Sequence, residues 1–109
     1  MAHDETLADR LRDALRGAGA VSERKMFGGM AFMLNGNMCC GVINDLLMAR
    51  VGPEAYTGAL GRPHVRPMDF TGRPMKGYVY VDPGGLRSDE ELREWVGRCV
   101  EFVGTLPEK

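Results

Sequence analysis

Residues 26–51, MFGGMAFMLNGNMCCGVINDLLMARV, hold three short apolar runs in close succession: Met26 to Leu34, Met38 to Ile43 and Leu46 to Val51. Asn35-Gly36-Asn37 separates the first two. Asn-Gly is a strong hairpin signal, because both central residues of a tight hairpin turn need positive φ. Asn44-Asp45 separates the second pair and tolerates the same backbone region. The spacing predicts an antiparallel meander of three strands. Alternation within it is poor, since Ala31 and Met33 flank Phe32, and Leu47 and Ala49 flank Met48. Strands apolar on both sides belong to a sheet covered on both faces. The expectation is helices on both sides of the meander, or a second copy over one face as a homodimer.

Upstream, Leu7, Leu11 and Leu15 recur every fourth residue beside Ala8, Ala14 and Ala18, which makes one apolar helical stripe. Asp4 is placed to cap its start, and Gly17 or Gly19 to end it. Downstream, Gly52-Pro53-Glu54 reads as a helix start, with proline at the first helical position. Gly58, Gly61 and Pro63 keep that helix short. A second hairpin follows over Val65 to Phe70 and Met75 to Val81, and Pro67 marks its first strand as an edge. Ser88-Asp89-Glu90-Glu91 is a capping box. Leu92, Trp95, Val96, Cys99, Phe102, Val103 and Leu106 then form a second helical stripe, ended by Pro107. The order is helix, three-stranded meander, short helix, β-hairpin, helix. Hairpin-linked strands pair antiparallel, so the fold class is α+β with a mainly antiparallel sheet.

The 109 residues fit one domain, here 1–109. A hydrophobic fraction of 44% with 27% charged residues is that of a folded protein, not a disordered one. The net charge of -1 and pI near 6.1 exclude a global basic field for nucleic acid or anionic membrane. No run approaches the roughly 18 apolar residues that cross a bilayer, and the first residues lack a signal peptide's apolar core. The expected location is cytoplasmic, which suits an odd count of three cysteines without a disulfide-framework spacing. Eight methionines imply a plastic core or an adaptable contact surface.

Lys25-Met26-Phe27-Gly28-Gly29, the hairpin around Gly36 and Leu46-Leu47-Met48-Ala49-Arg50-Val51 together resemble the signature of the TfoX/Sxy N-terminal domain. Pro74-Met75-Lys76-Gly77-Tyr78 resembles that family's second hairpin, and the Leu92/Trp95 helix also fits. The resemblance implies a helix-flanked antiparallel sheet of secretion-chaperone-like, two-layer architecture. It further implies a link to the regulators of natural competence for DNA transformation. Those regulators carry a second, C-terminal helical domain, which these residues do not include. The chain is thus expected to be the N-terminal domain standing alone, with a regulatory or adaptor role. No catalytic residues carry over from the resemblance.

Each candidate site has a plain structural alternative. Gly28-Gly29 after a basic pair could cradle an anion, but no Gly-Lys-Ser/Thr follows and the next element is a strand. A bulge, or a helix passing close over the sheet, explains the pair better, so Met26, Phe27, Gly28 and Gly29 are read as a structural motif. Cys39-Cys40 invites a metal or redox reading. Neighbours on a strand point to opposite faces, and with His3, His64 and Cys99 no metal-ligand spacing appears. All three cysteines are read as small apolar fillers, and neither metal nor cofactor is expected. His64 near Asp69 could act as a base, but nothing brings it to a cysteine, and it reads as a solvated turn residue. Arg24, Lys25, Arg62, Arg66, Arg73 and Lys76 fall in or beside the hairpins. If those segments converge they form a basic rim able to meet an acidic protein or nucleic acid. The leading expectation is a non-catalytic regulatory module with a protein partner. A weak nucleic-acid accessory and a small-ligand or thiol-dependent enzyme are the alternatives.

Overall fold

The computed structural model of the chain describes residues 4–26, 28–69 and 75–108. The Asp4 carboxylate accepts from the Thr6 and Leu7 amides at 2.8 and 3.1 Å, which opens helix α1 (Glu5–Ala14). A side-chain cap of this kind is worth about 1 kcal/mol. Four strands follow in sequence: β1 (Val21–Met26), β2 (Gly29–Leu34), β3 (Asn37–Ile43) and β4 (Leu46–Arg50). Next come α2 (Tyr56–Leu60), β5 (Val65–Pro67), β6 (Tyr78–Val81), a 3-10 turn at Pro83–Gly85 and α3 (Asp89–Val103). The six strands form one sheet in the order β1-β2-β3-β4-β6-β5, and every neighbouring pair is antiparallel. This is the expected α+β class.

Asn35 and Gly36 take φ of 53° and 84°, as the β2–β3 hairpin requires, and Asn44 at 53° turns β3 into β4. The buried Asn37 amide donates to the Pro107 carbonyl at 2.9 Å and ties the C-terminal tail to the same hairpin. The Ser88–Glu91 capping box forms as the sequence requires and starts α3. Helix α2 begins at Tyr56, later than Pro53, because Pro53–Ala55 make a turn first.

The meander differs from expectation at its start. It has four strands, and its first member is Val21–Met26, ahead of the apolar runs. Met26 faces Gly29, so Met26 ends β1 and Gly29 opens β2, and the apolar run from Met26 to Leu34 is not one strand. Phe27 lies outside the described residues, and Gly28 takes φ +76°. A Cβ on Gly29 would stand 2.1 Å from the Val42 carbonyl oxygen, so the close approach there is made by β3 and not by a helix.

Helices also cover one face only. Leu7 and Leu11 of α1, Ala59 of α2, and Trp95, Val96 and Val103 of α3 share one cluster with Phe32, Val42, Leu47 and Val81 of the sheet. The opposite face carries Ala31, Met33, Met38, Met48, Met68 and Tyr80, with Met26 and Met75 packed against them. Six of the eight methionines therefore line the face away from the helices. Met68 and Met75 come from the connection between β5 and β6, so the chain itself contributes to that layer. The architecture is two-layered, with a methionine-rich back.

Candidate interaction surface

The three thiols go inside. β3 carries a bulge opposite Phe32 and Met33: Phe32 faces Cys40 while Met33 faces Met38, which leaves Cys39 as the extra residue. Cys39 and Cys40 therefore both join the helix-side cluster, with Cys99 of α3, and all three are fully buried. The expectation that they point to opposite faces is corrected by the bulge. A hydrogen bond from Cys40 lowers the Cys39 thiol below its ordinary value, and the Arg50 charge adds to this. The same hydrogen bond and burial push Cys40 up, and burial pushes Cys99 up. No group of three or more His, Cys, Asp or Glu side chains among the described residues is placed to hold a metal.

His64 is exposed and takes φ +66°, with its ring against Gly84, where a Cβ would come within 2.6 Å. It sits beside β5, whereas Cys39 and Cys40 lie in β3, three strands inward with β6 and β4 between. The histidine and the cysteines are not brought together.

The basic residues are also divided. Arg24 and Lys25 lie on β1 at one edge of the sheet, and Arg66 lies on β5 at the other. Five strand spacings separate them, roughly 24 Å. Arg62 follows α2, pairs with Glu94 at 2.6 Å and lies over the Trp95 ring at 4.8 Å. Its guanidinium holds the Glu94 carboxyl below the usual range. Arg66 pairs with Asp82 at 2.9 Å. Lys76 is exposed before β6, and Arg73 lies outside the described residues. Arg24 and Lys25 are exposed and have no ion pair among the described residues.

β1 is the element that hydropathy could not find. Its six residues are exposed except for half-buried Met26, so neither face reads as apolar. Strand β2 is its one partner, which leaves its outer edge unpaired among the described residues. Register assigns its faces. Glu23 faces Phe32, on the helix side, and Arg24 faces Ala31, on the methionine side. Arg12 of α1 reaches over Phe32, 5.9 Å from the ring centre, and binds Glu23 through two nitrogens at 2.7 and 2.8 Å. That pair holds the Glu23 carboxyl below its usual range. It also anchors β1 to α1 from above.

A groove of about 640 Å³ lies between the β4–α2 turn and the second half of α3. Val51, Gly52, Pro53, Arg98 and Phe102 are among its walls. Gly52 takes φ +90°, and a Cβ there would stand 2.4 Å from Phe102, so only glycine lets the turn close on the ring. Arg50 stacks between Tyr78 at 5.4 Å and Phe102 at 5.6 Å. These contacts pack the turn against α3.

The family model of the TfoX N-terminal domain matches residues 13–103. The chain belongs to that family. The match runs from the end of α1 to the end of α3, so all six strands of the TfoX N-terminal domain lie within it. No curated protein matches the chain. Membership in the TfoX N-terminal domain family agrees with the motif at Lys25–Gly29 and the hairpins beyond it, and the family is not a known enzyme family. No helix among the described residues is long and apolar enough to cross a membrane.

Proposed function

We propose that this TfoX-like domain is a non-catalytic interaction module that acts in a regulatory circuit by binding another protein. One observation carries the reading: β1, six residues long, is exposed from Val21 to Lys25 and unpaired on its outer side among the described residues. A sheet edge of this kind is a ready template for a partner chain. The distribution of chemistry supports it. The thiols are buried, His64 is remote from them, and the arginines near β5 are paired within the chain. Nucleic-acid binding would call for the cations to gather into one patch, whereas Arg24 and Lys25 stand at one edge of the sheet and Arg66 at the other. The cytoplasm is the proposed setting, where three free thiols persist.

Affinity capture of the tagged chain from its source cells, followed by reconstitution with the purified partner, tests the proposal. A stoichiometric protein complex that survives nuclease treatment is the expected result. Co-purification of DNA alone would overturn it.

A further inference from the structure

The Asn35 amide donates to the Ala20 carbonyl at 2.8 Å, which fixes the hydrogen-bonding phase of the β1–β2 ladder. In an antiparallel pair, alternate residues bond inward and the others turn their N–H and C=O groups out. Ser22, Arg24 and Met26 share the inward phase with Ala20. Val21, Glu23 and Lys25 therefore present the free backbone groups.

A second copy is a poor occupant of that edge. Facing residues of an antiparallel pair lie on the same side of the sheet, and a twofold axis sets one residue against its own copy. Centred on Glu23, Arg24 or Lys25, the pairing places two carboxylates, two guanidiniums or two ammoniums directly opposite each other, and centred on Ser22 it avoids this only by pairing no more of each strand than Val21 to Glu23. Like charges so placed repel. The register centred on Arg24 offers Glu23 to the Lys25 of the second copy, but Glu23 is already bound to Arg12. With Glu23 neutralised and Arg24 and Lys25 unpaired among the described residues, the edge carries two free cations, one on each face.

We infer that the outer edge of β1 accepts an extended acidic segment of another protein, which adds as a seventh strand with consecutive carboxylates beside Lys25 and Arg24. This rests on the interaction-module reading and names its surface. The backbone bonds at Val21, Glu23 and Lys25 supply register-independent attraction, and the two cations choose the sequence. The antiparallel complement of residues 26 back to 21 reads Val-Glu-Glu-Thr-Thr-Val. It puts a β-branched residue opposite Met26 and a neutral one opposite Glu23.

The test is a fluorescence-anisotropy titration of the full chain with labelled, end-capped Val-Glu-Glu-Thr-Thr-Val and with Val-Lys-Lys-Thr-Thr-Val. The acidic peptide should bind and should weaken as salt rises. The double substitution Arg24→Glu with Lys25→Glu should weaken it about tenfold or more, and should gain binding to the lysine peptide. Equal binding of both peptides, no binding at about 1 mM, or dimerisation of the chain through β1 by sedimentation would overturn the inference. The same double variant in the capture experiment separates the two claims. A cellular partner kept at full stoichiometry refutes the β1 assignment and leaves the interaction module standing. No partner for either form refutes the module itself.

Discussion

At one edge of the sheet β5 runs for three residues and ends on Pro67, while at the other β1 runs for six and has no proline. Helix α2 packs on β5 and β6, Arg66 is paired with Asp82, and Arg62 bridges from α2 to Glu94 and Trp95 of α3. Among the described residues β1 has one tie of this kind, Glu23 to Arg12, and Arg24 and Lys25 have no ion pair. Short length, proline and helical cover are the usual means of closing a sheet edge. They are concentrated at β5. The difference teaches that length, proline and helical cover close the β5 side of the sheet, while the outer edge of β1 is left unpaired among the described residues.

The largest effect that would break this contrast is at the closed end. Trp95 is 2% exposed and carries Arg62 and Arg98 on its ring. Trp95→Ala should cost about 3–5 kcal/mol of unfolding free energy, read from denaturant midpoints. Ser22→Ala in β1 should stay within about 0.5 kcal/mol. Comparable losses at the two sites would remove the distinction.

Next in size is the corner that attaches β1. Gly29→Ala forces a Cβ against the Val42 carbonyl and should cost about 1–3 kcal/mol. Amide exchange in β1 should rise more than in β4. Uniform destabilisation would show that β1 is not separately hinged at that corner.

The Glu23–Arg12 pair gives a smaller, pH-dependent effect. The folded-state Glu23 carboxyl is depressed, so its stabilisation is full above the ordinary carboxylate range and is lost as pH falls through the folded value. Arg12→Ala should cost about 0.2–1 kcal/mol near neutrality for a pair this exposed. The gap between variant and parent should close in acid. A gap independent of pH would mean that Arg12 acts through packing on Phe32 alone.

Smallest of all, Arg66→Ala at β5 should change stability by less than about 0.5 kcal/mol. It should leave binding of the acidic peptide unchanged, because that cation is already paired and sits at the closed edge.

The sequence made most of this fold legible wherever apolar periodicity or turn chemistry spoke. Asn35-Gly36, the Ser88–Glu91 box and the Leu7/Leu11 stripe each specify a local structure that tertiary contacts then reinforce. β1 escaped because an edge strand exposed on both faces has no hydrophobic pattern to read. The shared face of Cys39 and Cys40 is hidden for a related reason: strict alternation fails at a bulge, and nothing in Met38-Cys39-Cys40 announces one. Arg24 and Lys25 were legible as charges beside a hairpin. Their separation from Arg66 was not, because it depends on β1 and β5 lying at the two opposite edges of the sheet.

Amide hydrogen exchange of β1, with and without the acidic peptide, tests the central claim most directly. In the free chain Val21, Glu23 and Lys25 should exchange fast and Ser22, Arg24 and Met26 slowly. Peptide binding should slow the first three and leave Arg66 in β5 unchanged. Protection spread evenly over both edges, or confined to residues outside β1, would contradict the account.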